Sequence, residues 1–149
     1  MGYHCFYQGD VVINEYLTDA DRDLLGYLLN PEDTKRDVFF TPPQIPEALD
    51  KIITENPYIG SPFFVDQDGD ICSHGEEENE YPAEVTRFLR ELLELLKSRG
   101  YTMSGEIDWD ASDSNDGSGV IFVDSEHGVE DVLDEISNPG PSWRQAKTA

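Results

Sequence analysis

Apolar and polar positions alternate most regularly between residues 101 and 110. Tyr101, Met103, Ile107 and Trp109 are interleaved with Thr102, Ser104, Glu106, Asp108 and Asp110. A period of two puts the first set on one face of a strand and the second on the other, so one face enters a core while the other presents three carboxylates two residues apart. Asp116 to Gly119 then turns the chain into Val120-Ile121-Phe122-Val123, a short apolar run that fits a buried partner strand. Between 82 and 99 the period becomes helical. Val85, Phe88, Leu89, Leu92, Leu95 and Leu96 form one apolar stripe, Pro82 suits the first helical position and Gly100 the position just past the end. Arg87 with Glu91, and Arg90 with Glu94, stand at the spacing of helical ion pairs.

Shorter patterns complete the chain. Tyr3 to Ile13 reads as a strand with Gly9-Asp10 marking a bulge or tight turn. Thr18 reads as an N-cap with Asp21 three residues on, and Ala20, Leu24, Tyr27 and Leu28 share one face of a helix that Asn30-Pro31 ends. Residues 31–43 are rich in turn formers, with Val38 to Phe40 as a short strand. Ile45, Leu49, Ile52 and Ile53 predict a second helix, closed by Asn56-Pro57. Phe63-Phe64-Val65 and Ile71-Cys72 flank Asp68-Gly69, a hairpin signal. An acidic loop follows at 76–80, and residues 128–136 suit either a short helix or an edge strand. This order predicts a single α+β domain over 1–137, an antiparallel sheet with helices packed on one face and related to the split βαβ unit. A flexible tail is expected over 138–149.

Charge changes the picture most. The chain carries 32 acidic residues against 10 basic ones, a formal net of −22. Four of the bases, Arg87, Arg90, Lys97 and Arg99, lie in the helix 82–99, so the acid excess is concentrated elsewhere. With 38% hydrophobic and 11% aromatic residues the composition supports a packed core and excludes a disordered acidic tail. Duplex DNA carries one charge per about 1.7 Å, so this charge equals that of roughly 11 base pairs, about 37 Å of helix. A compact domain of this length has a diameter just under about 40 Å. Such a surface repels nucleic acids and anionic membranes and attracts proteins with basic grooves. Asp66, Asp68, Asp70, Glu76, Glu77, Glu78 and Glu80 form a run without a Lys or Arg, and Glu106, Asp108, Asp110, Asp113 and Asp116 form a second. These twelve are the candidate partner-binding residues, with Asp124 to Glu135 adding further acids. Strand spacing holds alternate carboxylates about 6.7 Å apart, a ladder that can imitate a phosphate backbone. The competing readings are a solvated housekeeping domain adapted to high salt, and a small metal-binding or enzymatic domain.

Catalytic and metal signals are thin. The chain has no Gly-rich phosphate loop, no G-x-S-x-G and no H-E-x-x-H, so neither an enzyme nor a cofactor is expected. Asp66 to Glu77 has the outline of a calcium loop, but its sixth position is Ile71 where glycine is required, and a hairpin turn explains Asp68-Gly69 better. Cys72 and His74 share a strand face while His4 and Cys5 point oppositely, so buried thiols with surface histidines fit better than zinc. Two cysteines do not suggest a disulfide scaffold. The opening MGYHCFYQGD lacks the apolar core of a signal peptide and no run approaches a membrane span, which together place the protein in a cytoplasm, its own or a host's. Trp109 is expected in the core, and Trp143 on the untethered tail.

From about residue 60 the chain resembles a family of small uncharacterised phage and actinobacterial proteins. The matching stretch is FLRELLELLKSRGYTMSGEIDWDASDSNDGSGVIFVD. Its elements are an amphipathic helix, Gly100-Tyr101, Gly105-Glu106-Ile107-Asp108-Trp109, then Asp116 to Gly119 and a β-branched strand. The start, with Gly9 to Ile13 and Leu17, is similar as well. The likeness covers about half the chain and departs in the acidic loop at 76–80 and in the tail. It implies no activity. It implies a mobile-element setting, hence a viral, anti-CRISPR-like DNA mimic whose partner is a basic nucleic-acid-binding protein of the host. No nucleic acid is bound directly and no membrane is a partner in this reading.

Overall fold

The computed structural model describes residues 3–34, 41, 43–134 and 140–145. In chain order the elements are β1 (Cys5–Ile13), α1 (Asp19–Leu29), α2 (Pro31–Thr34), α3 (Glu47–Glu55), β2 (Phe63–Val65), β3 (Ile71–Ser73), β4 (Glu77–Glu78), α4 (Pro82–Ser98), β5 (Met103–Asp110), a 3₁₀ turn (Ser112–Ser114), β6 (Ser118–Asp124), β7 (Gly128–Leu133) and α5 (Ser142–Gln145). The strands form one antiparallel sheet in the order β2-β3-β1-β5-β6-β7, and β4 pairs with the start of β1. Strands β3 and β5 flank β1 and both oppose it, so they run parallel to each other, with α4 joining them. That is the split βαβ connection of an α+β fold.

The expected alternation decides which side is buried. Cys5, Tyr7, Val11, Met103, Ile107, Trp109, Ile121 and Val123 face inward, where they meet Val85, Phe88, Leu89, Leu92 and Leu96 of α4 and Leu25, Leu28, Leu49 and Ile53 of α1 and α3. Each fully buried aliphatic or aromatic side chain contributes about 1.5–3 kcal/mol relative to exposure. Pro82 and Gly100 stand where the helix signals place them, with Gly100 at φ +91°. Thr18 caps α1 by accepting a hydrogen bond from the Asp21 N–H at 3.1 Å.

Several expectations change. Strand β1 runs through Gly9 without a bulge: its register with β5 is unbroken from Phe6 opposite Asp110 to Ile13 opposite Met103. Gly9 marks a close backbone approach instead, since a Cβ there would lie 2.1 Å from the Glu106 carbonyl oxygen. The acidic loop at 76–80 contains β4, and residues 128–133 form an edge strand. On α1, Ala20 is exposed while Asp21 is 6% exposed. The Asp21 carboxylate accepts hydrogen bonds from the Tyr101 hydroxyl at 2.5 Å and Arg99 Nε at 2.6 Å, tying the start of α1 to the end of α4. On α4, Arg87 pairs with Glu84 rather than Glu91, Lys97 takes Glu94, and Arg90 donates to the Val129 carbonyl at 3.1 Å. The strand expected at Val38 to Phe40 lies outside the described residues, as do 138, 139 and 146–149 of the tail.

Candidate partner-binding face

The face of the sheet away from α1, α3 and α4 is built from the alternate residues of each strand. Register places Phe64, Cys72, Asp10, Glu106, Phe122 and Glu130 in one row across the sheet. Gln8, Asp108, Val120 and Val132 form the next row, and Phe6, Asp110 and Ser118 the one beyond. On the other side Val12, Ser104, Asp124 and Gly128 align. The face therefore carries Asp10, Glu106, Asp108, Asp110, Asp124 and Glu130, and Glu77 opposite Phe6 on β4, set among Phe6, Val12, Phe64 and Phe122. Neighbouring strands stand about 4.8 Å apart. Asp10 directly opposes Glu106, a like-charge pairing that disfavours the sheet. Burial, together with the charges of Glu106 and Asp134, holds the Asp108 carboxyl above the usual carboxylate range. An open depression of about 470 Å³ lies beside it, walled by Phe6, Gln8, Asp110, Ser118 and Asp134 among others.

One described segment lies across this face. The tail, expected to be loose, folds at 142–145 into the turn α5. Its Ser142 N–H donates to Glu130 Oε2 at 2.7 Å. Arg144 Nη2 donates to Glu106 Oε1 at 2.9 Å, with the guanidinium carbon 5.3 Å from the Phe122 ring centre. Trp143, expected to be untethered, stacks on the His127 imidazole at 5.3 Å and meets Phe122 edge-on at 6.5 Å. Phe122 is thereby 5% exposed although it points away from the core. Among the described residues, Arg144 is the one Lys or Arg on this face.

The twelve candidate residues divide four ways. Glu106, Asp108 and Asp110 stand together on β5 as expected. Glu76, Glu77, Glu78, Asp113 and Asp116 gather at the end where β1 begins: Glu77 pairs with His4, and Glu78 accepts from the Ser61 hydroxyl at 3.0 Å while burial raises its pKa. Asp66, Asp68 and Asp70 lie at the opposite end, in the β2–β3 turn. Asp66 is occupied there by the Asp70 and Asp68 N–H groups at 2.9 and 3.0 Å. The Asp70 N–H in particular holds it below the usual carboxylate range. Asp70 accepts from the Ile13 N–H at 3.1 Å. Glu80 is 9% exposed, accepts from Asn56 Nδ2 at 3.1 Å and belongs to the core's edge. The dozen is thus not one surface. The sequence reading missed Asp10 and Glu130 as members of the β5 cluster, and the only signal for them is cross-strand register.

Other chemistry is limited. Burial, with the Asp66 and Asp10 carboxylates beside it, pushes the Cys72 thiol up to about 12, so it is not a nucleophile near neutral pH. Asp124, Glu126 and His127 bring ligand-type atoms within 4.8 Å of one another, the one grouping of metal-ligand type among the described residues. Asp124 Oδ1 is already taken by the Glu126 and His127 N–H groups at 2.7 and 3.2 Å, and this turn explains the grouping. No helix among the described residues is long and apolar enough to cross a membrane. No family model matches the chain, and neither a curated protein nor a solved structure matches it.

Proposed function

We propose that this protein binds the cationic cleft of a nucleic-acid-binding protein, with the outer face of its sheet standing in for a polynucleotide. The partner in this reading is a host defence protein, a CRISPR effector or restriction enzyme, and the chain a phage or mobile-element inhibitor. The observation that carries the reading is the outer face itself: seven carboxylates at sheet spacing, with Arg144 as the one described Lys or Arg among them. The partner class follows from this charge, and the mobile-element setting from the quoted motifs.

Counterion release makes the test direct. A restriction endonuclease incubated with this protein should lose duplex binding competitively, and the affinity of the complex should fall steeply between 50 and 500 mM salt. Neutralising one of Glu106, Asp108 or Asp110 should change affinity little, whereas Glu106→Gln, Asp108→Asn and Asp110→Asn together should weaken it by more than about tenfold. Affinity indifferent to salt, or to the triple change, removes the mimic reading.

A further inference from the structure

The way α5 sits on the outer face indicates what that face accepts. The Arg144 guanidinium meets a carboxylate at its edge, Glu106, and an aromatic ring at its face, Phe122. Both contacts use the planar geometry of arginine; a lysine ammonium can replace each only as a compact, strongly hydrated charge, without the forked and stacked fit. Beside it, Trp143 lies flat on His127 with 9° between the rings. Beyond these, the Ser142 N–H on Glu130, the edge-on contact of Trp143 with Phe122 and the burial of Pro141 hold the segment. It is four residues long, too short to be helical by itself. The Arg144 and Glu106 side chains are 58% and 50% exposed, so their ion pair is weak in water. Two residues along β5 the same chemistry recurs without an occupant among the described bases: Asp108 and Asp110 line the open depression with the Phe6 ring.

We infer that Glu106, Phe122 and His127 form an arginine-reading subsite, that Trp143-Arg144 fills it in the free protein, and that an arginine of the partner takes the same seat by displacing the turn. This rests on the outer face being the binding face, and it adds the recognised side chain and a built-in competitor. The partner is a segment presenting at least two arginines, one for the Glu106–Phe122 seat and one for the depression at Asp108 and Asp110. The apparent affinity of the free protein is lowered by the fraction of molecules whose seat is filled. One exposed ion pair and one cation–π contact set that reduction at about threefold to thirtyfold.

The test uses the full chain and a fluorescein-labelled peptide of alternating arginine and glycine, with its lysine counterpart, read by anisotropy at 50 mM salt. Arg144→Ala should bind the arginine peptide about threefold to thirtyfold tighter than the unsubstituted protein, gain less for the lysine peptide, and lose the gain when Glu106→Gln is added. Arg87→Ala, which removes the same charge from the helical side, should change affinity by much less. In the unsubstituted protein the His127 ring-proton resonances should shift as the peptide lifts Trp143 away. Equal binding by the unsubstituted protein and Arg144→Ala, or an equal gain from Arg87→Ala, overturns the seat while leaving the acidic-face reading standing. Failure of both the unsubstituted protein and Arg144→Ala to bind either peptide overturns the acidic-face reading and the seat with it.

Discussion

Tyr101→Phe is the sharpest probe of what holds the helices to the sheet. The hydroxyl donates to Asp21 Oδ2 at 2.5 Å and accepts from the Thr18 N–H at 3.2 Å, so one oxygen ties β5's approach to the cap of α1. Asp21 is 6% exposed, and burial alone pushes its pKa up. Hydrogen bonds from Tyr101, Arg99 and Thr18, with the Arg99 charge, outweigh burial and hold it below the usual range. A hydrogen bond to an ionised group is worth about 1.5–3 kcal/mol. Arg99 is 42% exposed, so its share is discounted to at most about 1 kcal/mol. Tyr101→Phe should therefore cost about 2 kcal/mol, and Asp21→Asn a similar amount. The double substitution should cost about 2–2.5 kcal/mol rather than 4, because the shared bond is lost once. Urea unfolding followed by far-ultraviolet circular dichroism measures all three. The sign with pH is fixed: a lowered folded pKa contributes stability that is full above the unfolded value of about 3.9 and is lost as pH falls through the folded value. The gap between Asp21→Asn and the unsubstituted protein should close on acidification below pH 3. A Tyr101→Phe variant within about 0.5 kcal/mol of the parent, or a gap that survives acid, refutes the network.

Three further outcomes are expected. Asp108→Asn should raise stability at pH 7 by at least about 0.6 kcal/mol at low salt, the repulsion of two charges about 6.7 Å apart in water added to the relief of a partly desolvated charge; 1 M salt should remove only the repulsive part, and the whole gain should vanish below pH 3; thermal melts read it. The pH sign is opposite to that of Asp21, because a raised carboxyl costs stability only once pH passes its unfolded value. Gly119→Ala should destabilise by about 1–3 kcal/mol and shift tryptophan emission, since its Cβ would stand 2.7 Å from Trp109 Cζ2 and from the Val132 carbonyl oxygen. Cys5 is buried and Cys72 has a thiol pKa of about 12, so a disulfide reagent at pH 8 should label neither appreciably until denaturant is added; stoichiometric labelling of the folded chain sinks the burial account.

The long periodic segments were legible because each carries its own period over several turns or pleats. Strand β5 and helix α4 fall within two residues of the expected bounds. What could not be read locally is whatever depends on register or on distant partners. Asp21 looks like a solvated first-turn acid; its burial is made tolerable by Arg99 and Tyr101, 78 and 80 residues away. Glu106, Asp108 and Asp110 follow from alternation alone, whereas Asp10 and Glu130 join them only through pairing. The acids at 66–70 look like free surface charge, yet backbone N–H groups of the tight turn occupy Asp66, and the Ile13 N–H at the end of β1 occupies Asp70. Trp143-Arg144 carries no helix signal, and its place depends on Phe122 and His127.

The distribution of bases bears on why single substitutions on the outer face should do little. Arg22 lies on α1 and donates to the Asp66 and Gln67 carbonyls, Lys51 is paired on α3, and Arg87, Arg90 and Lys97 are engaged on α4. Among the described bases only Arg144 is left to the outer face, so its carboxylates repel one another nearly uncompensated. Each neighbouring pair at about 4.8–6.7 Å costs about 0.6–0.9 kcal/mol in water. A cation arriving at this face gains attraction to several acids and relieves their mutual repulsion at the same time. Removing one carboxylate takes away one attraction but also the strain it imposed on its neighbours, and the two partly cancel. Removing Glu106, Asp108 and Asp110 together takes out the centre of the cluster, leaving Asp10, Asp124 and Glu130 with little mutual repulsion to relieve and a much weaker field, so the loss should exceed three times the single effect. Strictly additive losses across that series point instead to independent contacts, with no collective field behind them.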